Sequence, residues 1–122
     1  MPNKRQKSEK RGRYAEIWAS LFLFIKGYRT VNRRFRSKRG EIDLICKHGT
    51  TVIFVEVKAR KTVDDALYSI AYKQRKRIEA ASEDWLKLNP GKAKSLRFDV
   101  VAIAPRAFPT HIRDAWRPTS YK

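Results

Sequence analysis

Residues 41–58 read Glu41-Ile42-Asp43-Leu44-Ile45-Cys46-Lys47-His48-Gly49-Thr50-Thr51-Val52-Ile53-Phe54-Val55-Glu56-Val57-Lys58. Two runs rich in β-branched and aliphatic residues flank a short break containing a glycine, the pattern of a tight β-hairpin. With His48-Gly49 as the loop, Ile45 pairs with Val52, Asp43 faces Phe54 and Glu41 faces Glu56. Glu41, Asp43, Glu56 and Lys58 then share one face near the open end, and Ile42, Leu44, Ile53, Val55 and Val57 form a core face on the other. A loop one residue longer would separate Asp43 from Glu56 and scatter the apolar set, because side chains alternate with period two. The clean apolar face selects the even loop.

Working outward, Ile17, Trp18, Leu21, Phe22, Leu23, Phe24 and Ile25 predict a helix over residues 14–26, with Gly27 as its stop. Residues 28–35 predict a strand that runs into a basic stretch. After the hairpin, Asp64-Asp65 are placed to cap a helix over residues 66–88, whose Ile78, Ala81, Trp85 and Leu88 share a face. Asn89-Pro90-Gly91 ends it. Residues 96–104 predict a further strand, and the tail around Ile112 and Trp116 an edge strand. Trp18, Phe22, Phe24 and Trp85 fall at helical spacing and read as core, Cys46 as a buried strand residue and His48 as a turn residue. His111 carries no signal. The order helix, three strands, helix, strand predicts an α/β fold with a mixed central sheet flanked by helices. At 122 residues one domain is expected, over residues 13–122, behind a flexible basic arm at 1–12.

Lys and Arg number 29 against 12 Asp and Glu, a net charge of +17. Residues 1–40 carry +11 of it, whereas residues 41–60 are neutral. A hydrophobic content of 42% argues for a folded core and against disorder. One cysteine excludes an internal disulfide, and Cys46, His48 and His111 have no zinc-ligand spacing. The apolar run at residues 17–25 is broken by Ser20 and too short to span a bilayer, and no small-residue cleavage site follows it. The expectation is a cytoplasmic protein with a polyanionic partner and no membrane partner. Association of the arm with an anionic lipid surface is a lesser alternative.

The neutral block stands out in so basic a chain. Lys58 alone cannot neutralise Glu41, Asp43 and Glu56, whereas a divalent cation can. An all-oxygen donor set favours Mg²⁺ or Mn²⁺ over zinc. The plain alternative is a solvated sheet face whose acids pair with the abundant arginines.

Gly40-Glu41-Ile42-Asp43-Leu44-Ile45 followed by Val55-Glu56-Val57-Lys58-Ala59-Arg60 resembles the D…E-x-K signature of the restriction-endonuclease-like PD-(D/E)xK superfamily. More closely, the chain resembles the YraN-type family of small bacterial predicted endonucleases, kin to archaeal Holliday-junction resolvases. Further blocks carry the likeness: Gly12-x-x-Ala15-Glu16, Asn32-Arg33 ahead of the hairpin, Lys73, and Arg97-Phe98-Asp99-Val100-Val101. Residues 106–122 match poorly.

The resemblance implies a restriction-endonuclease-like core and a Mg²⁺- or Mn²⁺-dependent deoxyribonuclease. Asp43 and Glu56 are then metal ligands with help from the Val57 carbonyl, and Lys58 positions or activates the attacking water. Glu16 is a further metal or water ligand from the first helix, its alternative being a surface acid paired with Arg13 or Lys10. Glu41 either joins this patch or pairs with Arg39 or Lys58. Asp99, beside Arg97, reads as an ion-paired structural residue first and a site residue second. Arg33, Arg34, Arg36, Lys38 and Arg39 are the phosphate-binding candidates, with Lys73 from the second helix. The implied substrate is DNA, branched or damaged forms included, and a homodimer is admitted. The rival reading is a nucleic-acid-binding protein that keeps the fold without turnover.

Overall fold

Residues 52–55 are apolar without alternation, which suits a strand covered on both faces. In the computed structural model, which describes the backbone of residues 4–118 and the side chains of residues 12–118, that strand lies at the centre of the sheet. Helix α1 (Lys4–Ile25) precedes β1 (Arg29–Arg36), β2 (Glu41–His48) and β3 (Thr51–Ala59). Then come α2 (Val63–Tyr68), α3 (Tyr72–Leu88), β4 (Ser95–Ile103) and β5 (Thr110–Trp116). The five strands lie in chain order. β3 and β4 run parallel, joined by the α2–α3 crossover, and the other pairs are antiparallel. This is an α/β fold: a mixed five-stranded sheet with three helices packed against it.

Each face of the sheet carries its own core. Toward α3, Ile42, Ile45, Val52, Phe54, Phe98 and Val100 pack with Ile78, Ala81 and Trp85. The rings of Phe54 and Phe98 lie 5.4 Å apart, and those of Phe98 and Trp116 5.3 Å. Toward α1, Leu44, Cys46, Ile53, Val55 and Val101 pack with Ala19, Leu23 and Tyr28. Each large apolar side chain so buried contributes on the order of 1.5–3 kcal/mol.

Several expectations change here. The hairpin loop is Gly49-Thr50: His48 pairs with Thr51, Cys46 with Ile53 and Leu44 with Val55. Gly49 takes a φ of +63°, as the first loop position of a II′ turn requires. Moving the register by two keeps Asp43 and Glu56 at positions of the same parity while the cross-strand partners change. The supposed single apolar face divides. Leu44, Ile53, Val55 and Val57 do pack toward α1, but Ile42 joins Ile45 on the α3 side. Strict alternation would have put Ile42 with Leu44, so β2 slips its alternation at Asp43.

The helix expected over residues 66–88 is two helices. Thr62 caps α2 by accepting from the Asp65 amide, so Asp64 and Asp65 lie within the first turn. The chain then breaks to bury Ile70, and α3 starts after an extended Ala71. α1 begins at Lys4, so residues 4–12, read as an arm, have helical backbone; Met1–Asn3 lie outside the described residues. Trp85 is core at 4% exposure, but Trp18 is 47% and Phe24 69% exposed, because α1 turns only one stripe to the sheet. Among the described residues no helix is long and apolar enough to cross a membrane.

Candidate functional site

The β2–β3 ladder ends at Leu44–Val55, so Asp43 and Glu56 are the next residues of their strands, side by side where the pairing opens. Asp43 Oδ2 accepts from the Val57 amide at 2.8 Å, which fixes the carboxylate against β3. Glu56 is only 5% exposed and accepts from Gln74 Nε2 at 2.8 Å. Burial, and then the adjacent Asp43 carboxyl, hold Glu56 well above the usual carboxylate range, with Lys58 opposing them.

Across β1, Arg34 adopts a left-handed φ of 52° between the pairs Arg33–Leu44 and Phe35–Ile42. Non-glycine residues reach that region at a cost of about 1–3 kcal/mol, and such strain gathers at functional sites. Here the turned Arg34 pairs with Glu16 of α1 at 2.7 Å. Gly40 brings the β1–β2 connection against α3. A methyl group built there would land on the Arg77 carbonyl, so the residue before Glu41 has no room for a side chain.

A cleft of about 1340 Å³ brings these groups together. Glu16, Glu41, Asp43, Glu56 and Lys58 all line it, and so does Lys73. Their roles differ. Glu16 is held by Arg34, and Glu41 stands on the rim, 3.3 Å from Arg36. Among the described residues no three His, Cys, Asp or Glu side chains gather closely enough to hold a metal ion unaided. Asp43 and Glu56 remain as an adjacent all-oxygen pair. That suits Mg²⁺, which takes one or two carboxylates and completes its shell with water and substrate phosphate.

The basic run divides as well. Arg39 is bound to Asp84 at 2.6 Å and to the Ala80 carbonyl at 3.1 Å, and holds Asp84 down at a pKa of about 2. Arg34 and Arg36 have the acidic partners already named. Arg33 reaches Ser20 at 3.4 Å, and both Arg33 and Lys38 are exposed. Arg60, Lys61 and Arg77, which the sequence reading did not single out, line the cleft, as does Gln74. Lys73 gave a hint of Arg77 alone, which lies one turn further along the same helix face.

Asp99 does not line the cleft. It is fully buried on β4 and accepts from Arg97 at 2.8 Å, from His111 Nε2 at 2.6 Å and from the Asp114 amide at 2.9 Å. His111 Nδ1 in turn lies 2.7 Å from Lys26 Nζ. This network ties the turn after α1 to β4 and β5, and His111 had no local signal because its partners are distant in sequence.

The sequence model of an uncharacterised protein family, UPF0102, matches residues 15–103, from within α1 to the end of β4. The chain is 44% identical over 115 residues to a UPF0102 protein of Agrobacterium fabrum, covering 93% of this chain and 94% of that one. A UPF0102 protein of Sinorhizobium medicae is 45% identical over 111 residues, 90% and 91% of the two chains. One from Bartonella bacilliformis is 46% identical over 110 residues, 89% and 90%. The family match stops short of β5.

Proposed function

The chain belongs to the uncharacterised protein family UPF0102, and we propose that it is a divalent-metal-dependent nuclease hydrolysing phosphodiester bonds of DNA, branched or damaged forms included. One observation carries this reading: a buried Glu56 beside Asp43, with Lys58 two residues on, at the floor of a cleft rimmed by basic side chains. A buried carboxyl beside a second, half-buried acid is costly unless something positive joins them. Catalysis supplies a reason to retain that cost.

Asp43 and Glu56 would hold Mg²⁺ or Mn²⁺, with the Val57 carbonyl as a further oxygen. When bound, the ion supplies charge stabilisation at the phosphate and a more acidic water. The Val57 amide fixes the Asp43 oxygen, and Gln74 fixes that of Glu56, so neither carboxylate has to be ordered on substrate arrival. Lys58 is a compact donor that can serve both the attacking water and a phosphate oxygen. Lys61, Lys73 and Arg77 hold the backbone without reading its sequence. Glu16, at the cleft wall, is held by Arg34 and becomes a metal or water ligand only when that pair opens.

That ion pair favours a second reading, a DNA-binding protein without turnover, since it leaves two carboxylates for the metal. Cleavage assays on linear, flapped and four-way DNA with Mg²⁺ or Mn²⁺ separate the two. A nuclease cuts at least one form, stops with chelator, and loses at least about 100-fold in rate in Asp43→Asn, Glu56→Gln and Lys58→Ala, while each variant still binds DNA. Pure, folded parent protein that binds every form and cuts none establishes the second reading.

A further inference from the structure

The outward stripe of α1 is a surface feature that the carboxylate cleft does not explain. Tyr14 is 72% exposed, Trp18 47%, Ile17 44% and Leu21 50%. These four residues, with Ala15, Ala59 and Ile103, wall a second concavity of about 520 Å³. Ala15, Ala59 and Ile103 line both this shelf and the carboxylate cleft, so the two are continuous around the ends of β3 and β4. The shelf's lining is apolar and aromatic, whereas the cleft beside it carries Arg60, Lys61 and Lys73.

We infer that this shelf stacks unpaired bases of the DNA strand whose phosphate lies in the cleft, so that the substrate contains a single-stranded segment next to the cleaved bond. The inference rests on the nuclease reading and narrows its substrate. Exposed aromatic side chains are costly in water and serve where a flat apolar face is needed. A fully paired duplex keeps its bases stacked inside and presents only phosphate and sugar to such a shelf. Unpaired bases offer π-faces of any sequence, and single-strand grooves combine such platforms with basic residues tracking the backbone. Tyr14 and Trp18 are one helical turn apart, which spaces two aromatic platforms along the helix. The net charge of +17 opposes self-association through this face and favours a polyanion beside it.

The test uses the tryptophans as they stand. Of the three, Trp85 and Trp116 are buried at 4% and 9% exposure, so Trp18 is the one that a ligand on the surface reports. Single-stranded oligothymidylate and a blunt duplex of equal length are titrated at low salt with chelator present. The single strand quenches the tryptophan emission, whereas the duplex binds without quenching. Trp18→Ala and Tyr14→Ala each weaken single-strand binding by roughly 5- to 100-fold and leave duplex binding as it was, and Trp18→Phe restores most of the loss.

Equal single-strand affinity in parent and Trp18→Ala overturns the inference. So does a concentration-dependent dimer that Trp18→Ala dissolves, which assigns the face to a second copy, or quenching by anionic phospholipid vesicles and not by the oligonucleotide. Failure of the nuclease reading looks different: the single strand quenches and Trp18→Ala weakens it, yet no DNA form is cut with any divalent cation. The shelf then stands as a binding surface.

Discussion

Gln74 Nε2 donates to Glu56 Oε2 at 2.8 Å, tying the most buried acid of the cleft to a neutral amide from α3. A neutral donor satisfies the oxygen without cancelling its charge. Burial, and then the adjacent Asp43 carboxyl, make Glu56 hold its proton well above the ordinary carboxylate value of about 4.5. The folded state keeps that proton where the unfolded state gives it up, so the contribution of Glu56 to stability falls as pH rises above 4.5. Glu56→Gln removes the titration. In chelator at pH 7–8 the variant is more stable than the parent by about 1 kcal/mol or more, the difference closes toward pH 4, and Mg²⁺ narrows it by stabilising only the parent. Urea midpoints across pH measure this, and a variant less stable at neutral pH refutes it.

DNA affinity falls with salt, at roughly 0.9 log units per log unit of salt for each phosphate contact. Of the phosphate-binding candidates Arg33, Arg34, Arg36, Lys38 and Arg39, Arg34 and Arg36 face Glu16 and Glu41, and Arg39 faces Asp84. Lys61→Ala with Arg77→Ala accordingly flattens the slope by about 2, and Arg39→Ala changes it little. Binding isotherms at several salt concentrations decide it, and a larger effect from Arg39→Ala sinks the assignment.

Asp99 sits in a buried network with Arg97, His111 and the Asp114 amide. Burial alone would raise its carboxyl, but the hydrogen bonds from His111, Arg97 and Asp114 outweigh burial and hold it below the ordinary 3.8. With the folded value depressed, its contribution is present above the unfolded value and is lost as pH falls through the folded one. Asp99→Ala costs about 3–5 kcal/mol at pH 7, by leaving the partners unmatched, and the gap to the parent narrows below pH 4. Denaturant melts at pH 7 and pH 3 check both parts.

Gly40 meets α3 at the Arg77 carbonyl. Gly40→Ala forces the two apart and costs about 1–3 kcal/mol. Because Arg77 lines the cleft, it also lowers DNA affinity. A substitution that leaves both the thermal midpoint and the affinity intact contradicts this close approach.

The hairpin, its even loop and the common side of Glu56 and Lys58 on β3 were legible in residues 41–58, because alternation along a strand is a local property that any even change of register preserves. Asp43 meets them in the cleft although β2 slips its alternation there. The α/β order was legible for the same reason: helical and strand periodicities are written within each segment. The loop moved by one residue, since Gly49 suits the first position of its turn better than the second. Other features depended on what each element met in space. Ile42 departed from its face at Asp43, and the second helix broke to bury Ile70, both adjustments to a sheet covered on two sides. The partners of Glu16, Arg39 and Asp99 lie on other elements, so composition revealed an excess of positive charge but not which arginines it left for a ligand. Sequence periodicity marks which residues prefer an apolar neighbour; only the packed sheet, with one stripe of α1 against it and the other facing water, decided which aromatic side chains became core and which stayed on the surface.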